Sequence, residues 1–263
     1  MDSLPSNPFI PIVPKKRSTI LNLFNFLFAM LKLPFCLFVI LLTCIYSMII
    51  SLIPIVSIRK IGLRVISQLF FRIILYLTGL FTINPQPTSI YDTFSEPPDI
   101  PEPKGGDLII CNLASYLNLF WLQKEYSPIF VIPFDDENVY VFNVFQLFFR
   151  ILLSRPLRLR KTVPLSQVIE ASKTISFPIV IFPEQAVTNG SYIVNFAKFG
   201  KGVNTDGINF HIFGFVHFDS RISPNFTYGN GPFHFLQMLG RFPAGLKIKI
   251  ALPQDIPKLD KNE

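Results

Sequence analysis

The chain has 263 residues, of which 50% are hydrophobic and only 16% charged, and its formal net charge is +7. A soluble domain carries about 25% charged residues, so the deficit argues for membrane contact. The basic excess in so apolar a chain favours an anionic lipid surface. The 29 Phe fall in apolar runs rather than between Arg and Lys, which argues against a nucleic-acid stacking platform.

Residues 1–17 contain Pro5, Pro8, Pro11 and Pro14 and end in Lys15, Lys16 and Arg17, the pattern of a disordered basic tail. Between Ile20 and Val56 only Lys32 is charged. One helix of that length would extend about 55 Å against a hydrocarbon core of about 30 Å. Pro34 and Pro54 predict breaks, and basic residues flank both ends, with Arg59, Lys60 and Arg64 on the far side. Positive charge stays cytosolic. Residues 18–58 therefore read as a membrane-embedded helical hairpin, with a single tilted span over 33–56 as the alternative.

Over 59–83, Lys60, Arg64, Gln68 and Arg72 recur every four residues and form one polar stripe on an apolar cylinder. That pattern suits a helix lying in the membrane interface, and equally one packed on the domain with a solvated stripe. Residues 84–106 read as a Pro-rich linker, holding Pro85, Pro87, Pro97, Pro98, Pro101 and Pro103 and closing on Gly105 and Gly106.

From 107 to 263 strands and helices alternate, which predicts an α/β layer fold. Strands are expected at 108–111, 129–133, 179–182, 209–218 and 247–252. Helices are expected at 116–125, 141–153, 165–175 and 232–239. Cys36, Cys44 and Cys111 make no disulfide framework, and with His211, His217 and His234 they show no zinc-ligand spacing. No metal site and no bound cofactor are expected.

The segment most telling of chemistry is Phe182-Pro183-Glu184-Gln185-Ala186-Val187-Thr188-Asn189-Gly190, a polar loop with one carboxylate between two apolar runs. It resembles the phosphate-binding block of the glycerophospholipid (PlsC-like) acyltransferase family, Phe-Pro-Glu-Gly-Thr. The later Thr-Asn-Gly places it nearest the lysophosphatidylcholine and lysophosphatidic acid acyltransferase and ancient ubiquitous protein branch. Gln185 and Ala186 stand where Gly-Thr is usual.

The family's catalytic block, Asn-His-x-x-x-x-Asp, corresponds here to Asn112-Leu113-Ala114-Ser115-Tyr116-Leu117-Asn118. Asn112 matches, but the His position is Leu113 and the Asp position is Asn118. In the family the His is the general base on an acceptor hydroxyl that attacks an acyl-CoA thioester, and the Asp orients it. Leucine cannot accept a proton.

The resemblance thus implies a mixed-sheet acyltransferase-like domain after a membrane hairpin, facing the cytosol from the endoplasmic reticulum and lipid droplets. It implies binding of lysophospholipid, with acyl-CoA as co-substrate if any activity remains. Phe182, Pro183, Glu184, Asn189 and Gly190 are the substrate-binding candidates. Arg158 joins them from the cluster Arg150, Arg155, Arg158, Arg160 and Lys161. Three functions stay open: a catalytically impaired lipid-binding protein, an active acyltransferase with a non-standard base, and a structural membrane anchor.

Overall fold

The computed structural model describes residues 19–89, 100–188, 194–204, 206–217, 226, 229–240, 244–252 and 255–256. The expected tail at 1–17, residues 90–99 of the expected linker, and Asn189 and Gly190 lie outside the described residues, as does the side chain of His217.

Two long helices come first, α1 (Thr19–Ser51) and α2 (Val56–Leu77). The expected break at Pro34 does not occur, because α1 runs straight through it. A proline deletes one helical hydrogen bond, and the chain stays helical where no water competes for the backbone. The turn comes instead at 52–55, around Pro54, and α2 packs back along α1. The hairpin is therefore made of α1 and α2 together, rather than folded within 18–58. By length and composition α1 is apolar enough to cross a membrane.

α1 buries one stripe, Asn25, Ala29, Cys36, Val39 and Thr43, and exposes large apolar side chains on its other faces. On α2 the buried stripe is Ser67, Phe71, Ile74 and Leu75, while Arg64, Gln68 and Arg72 are exposed beside Ile61, Val65 and Leu69. The predicted polar stripe is thus real, and it borders exposed apolar side chains.

The eight strands among the described residues are β1 (Leu80–Thr88), β2 (Leu108–Cys111), β3 (Ile129–Pro133), β4 (Asn138–Phe142), β5 (Val163–Pro164), β6 (Ile179–Ile181), β7 (Phe210–His217) and β8 (Ala244–Ala251). They form one mixed sheet in the order β1-β8-β7-β2-β6-β3-β4-β5. Strands β7, β2, β6 and β3 run parallel at its centre, and antiparallel pairs flank them.

β1 occupies the first part of what the sequence offers as linker. It carries Pro85 and Pro87 because it is the sheet's edge, paired only with β8. Two prolines two residues apart place both missing N–H groups on one side, away from the partner strand. The helix expected over 141–153 is likewise shorter. Residues 138–142 are strand, and α4 (Val144–Leu152) starts at a capping box in which Asn143 and Gln146 exchange side-chain and backbone bonds.

Side chains of the central strands alternate between two cores. Ile109, Cys111, Phe130, Ile132 and Val180 face the larger one, with α3 (Tyr116–Tyr126), α4, α6 (Gly231–Leu239) and the α1–α2 pair. Leu108, Val131, Ile179 and Ile181 face the smaller, covered by α5 (Leu165–Ile175). α3 lies between the sheet and α2, so seven consecutive residues, Tyr116 to Leu122, are buried. Phe71 of α2 closes on Phe120 of α3 at 5.6 Å between ring centroids.

Candidate functional site

Parallel pairing of β2 with β6 brings two segments about seventy residues apart to one edge of the sheet, at the C-terminal ends of both strands. That edge is where open α/β sheets place their ligands. The chain leaving β2 carries Asn112 to Asn118, and the chain leaving β6 carries Phe182 to Thr188.

Asn112 extends the β2–β7 ladder by side chain. Its Oδ1 accepts from the Phe215 N–H at 2.8 Å, and its Nδ2 donates to the Phe215 carbonyl at 3.3 Å. Its presence is thus explained by the fold alone. Ser115 caps α3 by accepting from the Leu117 N–H. Leu113 and Asn118 are both fully buried. Leu113 belongs to the larger core, and Asn118 sits in the first turn of α3.

The loop after β6 is a positioning device. Phe182 is buried, stacks on Phe130 with ring planes 8° apart, and donates its N–H to the Val131 carbonyl. The Pro183 carbonyl accepts from the Ala197 N–H. The Glu184 carboxylate, only 6% exposed, accepts from Thr188 Oγ1 at 3.3 Å and the Val194 N–H at 3.4 Å, and it bonds the Leu113 backbone. Burial pushes its pKa up, and those three hydrogen bonds pull the other way. Burial, and secondarily the Glu184 charge, pushes the Cys111 thiol well above its ordinary range, which makes it an inert side chain.

Gln185, in the place of the family's Gly, has a left-handed backbone with φ 54°. Its side chain steadies that conformation by donating from Nε2 to the Pro133 carbonyl at 2.9 Å.

Two grooves open beside this loop, and Arg150 and Arg155 line both. The smaller, about 330 Å³, is lined on the loop side by Gln185, Ala186 and Val187. The larger, about 750 Å³, lies between α4 and the C-terminal half of α1. Arg150 is held by donating Nη1 to the Pro156 carbonyl and by lying 5.8 Å from the Phe142 ring centre. The Arg155 N–H returns to the Arg150 carbonyl, so the segment 150–156 folds back and places both guanidinium groups at the junction.

Several sequence candidates take other places. Arg158 is exposed and lines neither groove. Phe182, Pro183 and Glu184 lie behind the loop, while Gln185 and Ala186, the residues that depart from the family pattern, face the groove. Leu113 and Asn118 line neither groove. One pair escaped the sequence altogether: Tyr116 Oη lies 3.1 Å from Nδ1 of His234, a residue of α6. Nothing local connects positions 118 apart in the chain.

His211 is not at this edge. It pairs in register with Ile109, and its Nε2 lies 3.5 Å from Asp107 Oδ2. Phe215, level with the motif, is four residues on, about 13 Å along the strand. No cluster of His, Cys, Asp and Glu able to hold a metal occurs among the described residues.

This arrangement defines an acyltransferase fold of the PlsC type. Among solved structures, the chain is similar to the 1-acyl-sn-glycerophosphate (LPA) acyltransferase PlsC from Thermotoga maritima, with a TM-score of 0.51 over 93% of this chain and 90% of that one. At 14% identity the likeness is one of fold. Neither a family model nor a curated protein sequence matches the chain.

Proposed function

We propose that the chain is a membrane-associated, catalytically impaired relative of the phospholipid acyltransferases that binds lysophospholipid. The observation that carries this is Leu113, a fully buried leucine at the position of the family's base, beside a loop still braced by Glu184. General base catalysis is worth about 10² to 10⁴-fold, so its loss removes most turnover. The test is transfer from acyl-CoA to a panel of lysophospholipids by detergent-purified protein, beside Leu113→His/Asn118→Asp. No transfer by the wild type is expected. Turnover at rates ordinary for an acyltransferase would overturn the reading.

One observation favours the second reading, an active acyltransferase with a non-standard base. His234 bonds Tyr116 and packs against Phe226, at 5.1 Å between ring centroids, and Phe226 lines the smaller groove. If the wild type turns over, His234→Ala decides whether this imidazole is responsible.

The place of action proposed is the cytosolic face of the endoplasmic reticulum membrane, with transfer to lipid droplets. Support comes from the basic residues at both ends of the apolar region and from α2 returning along α1. A hairpin with both ends on one side can enter a monolayer with no polar group crossing oil. A fluorescent fusion of the full chain, imaged in lipid-loaded cells, should ring the droplets. Signal confined to the reticulum network would remove droplet transfer.

A further inference from the structure

We infer that the groove between α1 and α4 is the seat of the acyl chain of a single-chain phospholipid that enters from the bilayer, with Arg150 and Arg155 holding its phosphate. The inference rests on the lipid-binding reading and says where on the molecule that lipid lies.

Three observations converge. The first is chemical division within one continuous space. The larger groove is mostly apolar, with Val144, Phe145, Phe149, Leu153 and Leu159 along α4 and the segment after it. Its charge is confined to Arg150 and Arg155, at the junction with the smaller groove. An amphiphile with one anionic head and one apolar tail matches that division, and neither a free anion nor a neutral oil does. At about 750 Å³ the space falls within the range of small-molecule sites, roughly 300–1,000 Å³.

The second observation is the wall. Cys44, Ser47 and Met48 of α1 close the far side of the groove. The same helix exposes a broad apolar surface, with Met48 itself 70% exposed. Phe149 and Leu153 at the rim are each 47% exposed, so apolar surface runs from the lipid-facing helix into the groove. That continuity selects a ligand arriving from the membrane over one arriving from water, such as acyl-CoA.

The third is preorganisation of the cations. Arg150 is fixed through Pro156 and the Phe142 ring, and Ser154, left-handed at φ 48°, donates to the Gly229 carbonyl. No acidic side chain lines either groove, so the pair is left to an outside anion. Arginine is suited to phosphate because its planar fork donates two parallel hydrogen bonds.

The test uses the full chain in phosphatidylcholine nanodiscs and a lysophosphatidic acid carrying a photoreactive diazirine near the chain methyl end. Adducts are mapped by mass spectrometry. The expected result is labelling on the 44–48 segment of α1 and on Phe145 or Phe149, competed by unlabelled lysophosphatidic acid. Ser47→Trp, which fills the groove, should abolish that labelling, whereas Leu41→Trp on the exposed face of α1 should leave it unchanged. Arg150→Gln and Arg155→Gln should each weaken competition about tenfold, the usual worth of one charge-assisted hydrogen bond. An unchanged unfolding temperature certifies each variant as folded.

Labelling spread over all exposed faces of α1 and indifferent to Ser47→Trp overturns the inference in favour of boundary lipid. Competition by acyl-CoA but not by lysophosphatidic acid overturns it in favour of a soluble ligand. Competed labelling that maps only around Ala186 and Val187 overturns the groove while keeping the lipid-binding reading. A photo-crosslinked pair of chains instead of lipid adducts makes the groove a self-association surface. Absence of any competed labelling defeats both the inference and the reading beneath it.

Discussion

The Thr188 N–H donates to the Leu113 carbonyl across 3.1 Å, so the position that would carry a catalytic base is tied by backbone to the far end of the Glu184 loop. Glu184 spans the same gap by side chain, bonding the Leu113 backbone, Thr188 Oγ1 and the Val194 N–H. The two strand-end segments are thus one braced unit, and bracing alone accounts for a glutamate here without any catalytic duty.

Glu184→Ala should therefore destabilise the fold by about 1–3 kcal/mol, the cost of leaving buried partners unsatisfied. Glu184→Gln should cost less. It should also flatten one part of the pH profile. A carboxyl whose folded pKa is raised contributes stability that is complete below its unfolded value, near 4.3, and is lost as pH rises through the folded value. Denaturant unfolding in detergent at several pH values measures both effects. An Ala variant as stable as the wild type would remove the bracing role.

Gln185 pairs a strained backbone with a compensating side-chain bond to Pro133. Gln185→Gly relieves about 1–2 kcal/mol of left-handed strain and loses a bond of similar size, so near-neutral stability is expected. Gln185→Ala keeps the strain and loses the bond, so a loss of about 1 kcal/mol is expected. Thermal unfolding of the two variants separates them, and an Ala variant no less stable than the Gly variant contradicts the account.

His211 is buried beside Asp107, and burial lowers its pKa while Asp107 acts in the opposite sense. The unfolded chain binds this proton below about pH 6.5, and the folded chain resists it. The resulting stability is present above that value and is lost as pH falls through the lowered folded pKa. His211→Gln should remove this component, giving a shallower loss on acidification from pH 6.5. An identical slope in wild type and variant would exclude His211 as its source.

Gly240 lets α1 rest on the end of α6. A Cβ there would lie 2.2 Å from the Asn25 carbonyl oxygen and 3.3 Å from the Ala29 side chain. Gly240 has an ordinary right-handed backbone, so the constraint is space alone. Gly240→Val should lift the N-terminal half of α1 and raise amide exchange around Asn25 and Ala29. The central strands should stay protected. Unchanged exchange at 25–29 would show that α1 does not need this contact.

The sequence by itself determined everything that repeats over a few residues. The apolar run of α1, the cationic stripe of α2, the short strands of the α/β domain and the Phe-Pro-Glu loop are local patterns, and each is legible because burial on one face imposes a period. The absence of a proton acceptor at Leu113 is legible too, since it is a matter of residue type.

What only the tertiary structure decided depends on neighbours distant in the chain. β1 forms in a proline-rich stretch because it is an edge strand, and edge position is a property of the sheet. α1 passes Pro34 because its surroundings, not its own propensity, set the cost of a missing bond. Arg150 and Arg155, rather than Arg158, reach the grooves because the fold-back at 150–156 fixes their direction. Tyr116 meets His234 only because α6 packs over the start of α3. Such pairings arise from side chains filling a shared core, and no periodicity along the chain encodes which distant segment will supply the partner.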